Sequence, residues 1–197
     1  MEGIVIKSTG SWYNVYTGSK DVIACKLRGS FRVKGIKTTN PVAVGDKVEY
    51  QMVDGDKTGV ITSIKPRFNY IIRKATPLSK VSHIIASNID QAFLIVTLAE
   101  PRTSTGFIDR FLVTAEAYHI PANLIFNKLD IYDPEMKEIL ASLTKIYEEA
   151  GYPCLHVSAL SGENVNILEE KIKDGVSLFA GHSGVGKSEL INALQPD

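Results

Sequence analysis

Gly181-His182-Ser183-Gly184-Val185-Gly186-Lys187-Ser188 follows the spacing G-x-x-x-x-G-K-[ST]. The residues before it, 177–180, read as a short buried strand, and those after it, 187–194, carry a helical pattern. The motif therefore sits where a strand passes into a helix, the context a phosphate-binding loop requires. Glycines let backbone amides turn inward around phosphate oxygens, and the following helix points its positive dipole end at them. Lys187 supplies a cation to the terminal phosphates, and the Ser188 hydroxyl is placed to ligate magnesium. Glu189, next in the first helical turn, completes the expected phosphate site.

Upstream of this loop, strands and amphipathic helices alternate. Strands are expected at 92–98, 123–126, 154–157 and 177–180, and helices at 108–118, 134–150, 164–173 and 187–194, with Gly151 ending the second. Such alternation predicts an α/β domain with a mostly parallel sheet and helices on both faces.

A phosphate cradle does not choose between bases. Asn127-Lys128-Leu129-Asp130 follows the strand at 123–126, and the carboxyl ends of strands are where open sheets bind ligands. The Asp130 carboxylate can accept two hydrogen bonds from the N1 and N2 groups of guanine, a donor pair adenine lacks. Ser158-Ala159 occupies the corresponding place after the next strand, where the Ala159 amide can donate to guanine O6. Alone, either stretch would read as a polar turn; beside the phosphate loop they indicate a guanine nucleotide. An ATPase or kinase reading conflicts with Asp130.

Residues 1–73 have a different texture. Five short strands are expected at 3–8, 12–17, 21–27, 46–52 and 59–64, the pattern of a small all-β barrel of the OB-fold type. Asp56-Lys57-Thr58-Gly59 spells DxxG but falls in a barrel turn and reads as hairpin chemistry. Residues 65–76 read as a basic connector into a second domain covering 74–197.

Lys and Arg together equal Asp and Glu at 22 each, but the first 74 residues hold 13 basic against 6 acidic side chains. A basic barrel suggests a polyanionic partner, because clustered Lys and Arg release counterions on meeting phosphates. Lys26, Arg28, Phe31, Arg32, Lys34 and Lys37, on or near the long loop 29–41, are the candidate RNA-binding residues, with Phe31 able to stack a base. Phe31, Trp12 and Tyr13 can equally be packing residues.

Cys25 and Cys154 are isolated, so the sequence offers neither a disulfide framework nor a zinc site. The longest apolar run, 92–99, is too short to span a bilayer, and a cytoplasmic protein is expected. No catalytic base stands out. His182 reads as a solvent-facing loop residue, His83, His119 and His156 are scattered, and Asp109-Arg110 reads as a helix-surface pair rather than an arginine finger.

The order NKLD, VSALSG, GHSGVGKS reverses the usual GTPase order, in which the phosphate loop comes first. With the preceding barrel, its VGDKVEY strand and the FIDRFL helix, the chain resembles the ribosome small-subunit-dependent GTPase A family of circularly permuted GTPases. The resemblance implies binding of GTP and GDP with Mg2+, and hydrolysis of GTP to GDP and phosphate. It further implies stimulation by the small ribosomal subunit and a role in late maturation of that subunit through contacts with its rRNA, as a monomer and away from membranes. Carried over, Asn127, Lys128 and Asp130 hold the base together with Ser158 and Ala159, and residues 181–188 hold phosphates and magnesium. Glu189 departs from the small hydroxyl residue usual there, and its charge is expected to weaken phosphate affinity somewhat. The switch threonine, the DxxG element and the Cys/His zinc domain that would follow the phosphate-loop helix do not occur by residue 197, so a fragment of a longer protein is expected. A nucleotide-gated RNA-binding module without turnover is the alternative.

Overall fold

A computed structural model describes residues 1–18, 21–28, 41–53, 55, 57–74 and 82–195, with the side chains of 73, 74, 82 and 83 left aside. The chain divides into two compact units, Met1–Ile89 and Asp90–Asp197.

In the first unit β1 (Glu2–Thr9), β2 (Trp12–Tyr16), β3 (Val22–Leu27), β4 (Lys47–Met52) and β5 (Gly59–Ile64) close into a barrel in the order β1-β2-β3-β5-β4. All pairings are antiparallel except β3 with β5. Strand alternation puts Val5, Tyr13, Val15, Cys25, Val48, Tyr50 and Ile61 inside, each almost fully buried. The five-stranded barrel expected from the sequence is present. Val53 N–H donates to Thr58 O across the β4–β5 turn, and Gly59, the last residue of the DxxG spelling, opens β5, while Asp56 lies outside the described residues.

The expected connector at 65–76 is partly something else. Tyr70–Lys74 forms β6, paired antiparallel with β7 (Ser82–Ser87). This hairpin is tied to the barrel by Asp46, whose fully buried carboxylate accepts from Arg67 Nε at 2.6 Å, Arg67 Nη2 at 2.6 Å, Ser87 Oγ at 2.6 Å and the Ala43 amide at 2.8 Å. Asn88 Nδ2 donates to Gly45 O at 2.9 Å, and Asn69 exchanges two hydrogen bonds with the Ile89 backbone at 2.7 and 2.8 Å. A bidentate Arg–carboxylate pair with its remaining valences filled is the arrangement in which burial of charge is tolerated.

The second unit runs β8 (Gln91–Val96), α1 (Thr105–Ala117), β9 (Ala122–Phe126), a 3-10 turn (Leu129–Ile131), α2 (Pro134–Glu149), β10 (Cys154–His156), α3 (Val165–Ile172), β11 (Ser177–Ala180) and α4 (Lys187–Leu194). The four strands are parallel in the order β10-β9-β8-β11. Phe93, Ile95 and Ile125 pack with Val165 and Leu168 of α3 and Leu190 of α4. Alternation turns Leu94, Leu124 and Phe126 to the opposite face, and these three are also fully buried. Asp133 caps α2 by accepting from the Met136 amide at 2.8 Å, with Pro134 at the first helical position. Helix α1 begins three residues before the expected position, after Ser104.

Candidate nucleotide site

The carboxyl ends of β8, β9, β10 and β11 deliver four loops, and three of them hold the residues singled out in the sequence. The phosphate loop 181–188 links β11 to α4 as expected. Gly186 caps α4 with φ +89°, and a Cβ there would stand 2.4 Å from Asn127 Nδ2. Glycine at this position is therefore what lets the NKLD segment reach the 181–188 loop. A Cβ on Gly181, φ +149°, would lie 2.5 Å from Ile95 O, so this residue seats the loop against β8.

Asn127 is the hub of the site. Its side chain is fully buried, with Nδ2 donating to Val185 O at 2.9 Å and Oδ1 accepting from the Ala159 amide at 3.0 Å. One side chain thus joins the NKLD, SAL and phosphate-loop segments, 32 and 58 residues downstream. The Ala159 amide, expected to donate to guanine O6, is engaged by Asn127 Oδ1. It is a single donor, so an O6 contact requires that bond to be shared or exchanged.

Asp130 is exposed, and one oxygen accepts from the buried Ser158 hydroxyl, which also accepts from the Ser161 amide at 3.1 Å. Ser158 therefore orients the carboxylate from behind. Lys128 adopts the left-handed conformation at φ +68°, and its ammonium donates to the Glu100 carbonyl. A cleft of about 170 Å³ opens between Glu100, Asn127, Lys128, Asp130, Ala159 and Leu160, with Glu189 on its rim. Lys187 Nζ donates to Gly181 O at 2.9 Å and His182 O at 2.5 Å, which folds its charge back over the loop. Ser183, Gly184, Ser188 and Glu189 are exposed, whereas Val185 is buried in the core.

The fourth loop, 97–104, went unread in the sequence and forms a wall of the site. Thr97 N–H donates to Thr103 Oγ1 at 3.2 Å and Thr103 N–H to Thr97 O at 2.8 Å, closing the loop on itself. Beyond the Glu100 carbonyl, it places Pro101 Cδ 3.2 Å from where a Gly184 Cβ would be. Phe107, just inside α1, stacks on His182 with ring centroids 3.8 Å apart. His182 is solvent-exposed, as expected, but held by this stack. Tyr132 is buried, and burial pushes its phenol up from the usual tyrosine range, the Leu98 amide working against that shift. The signal that could have found loop 97–104 and Phe107 is position: the loop follows the carboxyl end of β8, and Phe107 lies in the first turn of the helix after it.

Other expected residues lie elsewhere. Lys26 is on β3, its ammonium 4.3 Å from the centre of the Trp12 ring, and Arg28 just past β3 is exposed. Phe31, Arg32, Lys34 and Lys37 lie outside the described residues. A larger depression of about 550 Å³ on α2 is lined by Thr144, Lys145, Glu148 and His156, none of which belongs to the expected site. Among the described residues no group of His, Cys, Asp or Glu is arranged to hold a metal, and no helix is long and apolar enough to cross a membrane.

A parallel sheet whose base-reading loops precede its phosphate loop along the chain, behind a closed β-barrel, defines a circularly permuted P-loop GTPase. Family models for the RsgA N-terminal domain and the RsgA GTPase match residues 2–61 and 64–197. The chain belongs to the RsgA GTPase family. It is 54% identical to the small ribosomal subunit biogenesis GTPase RsgA of Bacteroides fragilis, over all of this chain and 63% of that protein. The same protein of Christiangramia forsetii is 54% identical, with the same coverage. The chain thus spans a little under two thirds of the length of these curated relatives. Among solved structures, YjeQ from Thermotoga maritima is similar with a TM-score of 0.81 at 37% identity, covering 99% of this chain and 65% of that one. YloQ, described as a circularly permuted GTPase, gives 0.74 at 33% identity over 99% and 64%.

Proposed function

We propose that this chain is the guanine-nucleotide-binding portion of a GTPase that acts in biogenesis of the small ribosomal subunit, with residues 1–73 serving as an RNA-binding barrel and 74–197 as the permuted GTPase domain. The observation that carries the reading is the Asn127 hub, which ties the Ala159 amide and Val185 of the phosphate loop to the NKLD segment beside a cleft lined by Asp130, Ala159 and Glu189. Relatives named as subunit biogenesis GTPases support the biological setting.

Asp130, oriented by Ser158, accepts from the guanine edge, and Lys128 covers one side of the base cleft. The loop amides of 183–188 and Lys187 take the phosphates, the ammonium exchanging its carbonyl partners for phosphate oxygens. The residues fit magnesium in the usual way, with the exposed Ser188 hydroxyl at the start of α4 as its protein ligand; the ion, when bound, offsets charge on the terminal phosphates. Phosphoryl transfer needs positioning and charge neutralisation more than covalent chemistry, so turnover is expected to be slow until a partner orders the site. Lys26 and Arg28, with the basic loop that follows, are the barrel's contacts to rRNA, and the protein works in the cytoplasm as a monomer.

Substituting Asp130→Asn tests the base assignment: preference shifts from guanine toward xanthine nucleotides, and unchanged GTP affinity would sink it. For the activity, GTP turnover by the full-length gene product is measured with and without small ribosomal subunits. Stimulated hydrolysis supports the enzyme; selective binding without turnover supports a nucleotide-gated RNA-binding module.

A further inference from the structure

The backbone of Asn127 must be as well fixed as its side chain, because Asp130 and Lys128 are placed from it. The residue that fixes it is Tyr132. Its phenol accepts from the Leu98 amide at 2.9 Å and lies 2.7 Å from the Asn127 carbonyl oxygen. The Leu98 N–H can only donate, so the phenol proton is left to point at the carbonyl, which can only accept. The two bonds therefore have one consistent direction and bridge the end of β8 to the start of the NKLD segment. Tyr132 is 5% exposed, so water does not substitute readily for either bond. The Asn127 amide is held on its other side by Val96 O at 2.9 Å, and the Tyr132 amide closes the 3-10 turn on Leu129 O at 3.1 Å.

We propose that Tyr132 is a positioning residue for base recognition: its hydroxyl pins the Asn127 carbonyl to the Leu98 amide and so sets the placement of Asn127, Lys128 and Asp130 against the guanine ring. The proposal rests on the guanine-nucleotide reading of this site. Tyr132 does not touch the nucleotide; it acts through the segment that does. Removing the hydroxyl leaves a partly buried amide and a buried carbonyl unpaired, and relaxation of the 127–131 turn to satisfy them moves Asp130 while leaving the phosphate loop in place.

The test compares the wild-type chain with Tyr132→Phe for binding of GDP, inosine diphosphate, ADP and inorganic pyrophosphate. Inosine lacks the exocyclic amine that Asp130 reads, so the GDP-to-inosine-diphosphate ratio reports placement of that carboxylate. Expected is an about tenfold loss of GDP affinity, a lowered ratio, and unchanged pyrophosphate binding. A purely structural role would lower all ligands together and leave the ratio intact, which overturns the proposal. So does full GDP affinity with wild-type selectivity in the variant. If the wild-type chain itself binds no guanine nucleotide selectively, the base-site reading fails instead, a different result from the first two. Should Tyr132→Phe not fold, hydrogen exchange at the Leu98 amide of the wild-type chain decides: strong protection supports the pin, and exchange at the rate of an open loop overturns it.

Discussion

Asp46 and Asn127 are both fully buried polar side chains, and each is held by hydrogen bonds from segments far apart in sequence. They do opposite things. The bonds of Asp46 end on the Arg67 side chain, Ser87 and the Ala43 amide, groups that are themselves buried within the barrel and its hairpin. Those of Asn127 end on loops that line a cleft, and the next polar groups outward, Asp130 and Lys128, face solvent. A buried, satisfied polar group is thus no sign of function by itself. What distinguishes the two is where the network ends, in packed structure for one and in an accessible recess for the other.

The sharpest way to break this comparison is Asp46→Ala. It leaves the buried Arg67 guanidinium without its counter-charge, and a broken buried pair costs about 3–5 kcal/mol. The barrel holds the protein's single tryptophan, Trp12, and among the described residues every α-helix lies in the second unit. Tryptophan fluorescence should therefore show unfolding at much lower urea while the far-UV helix signal keeps its wild-type transition. Cys25, whose thiol burial pushes up to about 11, should become reactive together with the tryptophan change, and Cys154 should not. Loss of GDP binding in the folded variant would contradict a purely structural role for Asp46.

Asn127→Ala should give the reverse pattern, with a smaller effect. Val185 O and the Ala159 amide lose their partner, a loss of about 1–3 kcal/mol that should appear chiefly as weakened GDP binding in a titration. The tryptophan-monitored unfolding of the barrel should not move. An Asn127→Ala chain that binds GDP with wild-type affinity would mean that the phosphate and base loops hold their places without the hub.

The segments that gather at the candidate site were legible in sequence because each is spelled locally. A phosphate loop needs its glycines and lysine within eight positions, and NKLD needs its carboxylate three residues after its asparagine. The barrel strands and the parallel sheet were likewise legible from alternation and spacing. The β6–β7 hairpin was not. Its first strand sits in a basic segment after Pro66, and what holds it, the Asp46–Arg67–Ser87 network, joins residues 21 and 41 positions apart. Tyr132 escaped for the same reason: its phenol meets a main-chain amide 34 residues earlier, and no pattern of side chains records a bond to backbone. Loop 97–104 presents carbonyls and a proline to its neighbours, groups every sequence has.

The smallest expected effect uses pH to separate the two units. His156, on β10, lies 2.7 Å from Thr144 Oγ1 by its Nε2, and burial holds its imidazole below the usual histidine range, with Glu148 opposing in part. Above the unfolded value near 6.5 the ring is neutral in both states and contributes no pH dependence. As pH falls through that value the unfolded chain takes up the proton first, so stability declines, and the decline levels off once pH passes below the depressed folded value. Lowering the pH from about 8 to about 5 should therefore shift the helix-monitored transition to lower urea by a modest amount. His156→Gln, which keeps a hydrogen-bonding group toward Thr144 but cannot titrate, should remove that part of the slope. Tryptophan-monitored unfolding should keep its own pH profile in the variant, because His156 belongs to the second unit. If the substitution altered the barrel's profile instead, the two units would not be unfolding independently, and the contrast drawn between Asp46 and Asn127 would have to be made within one cooperative structure.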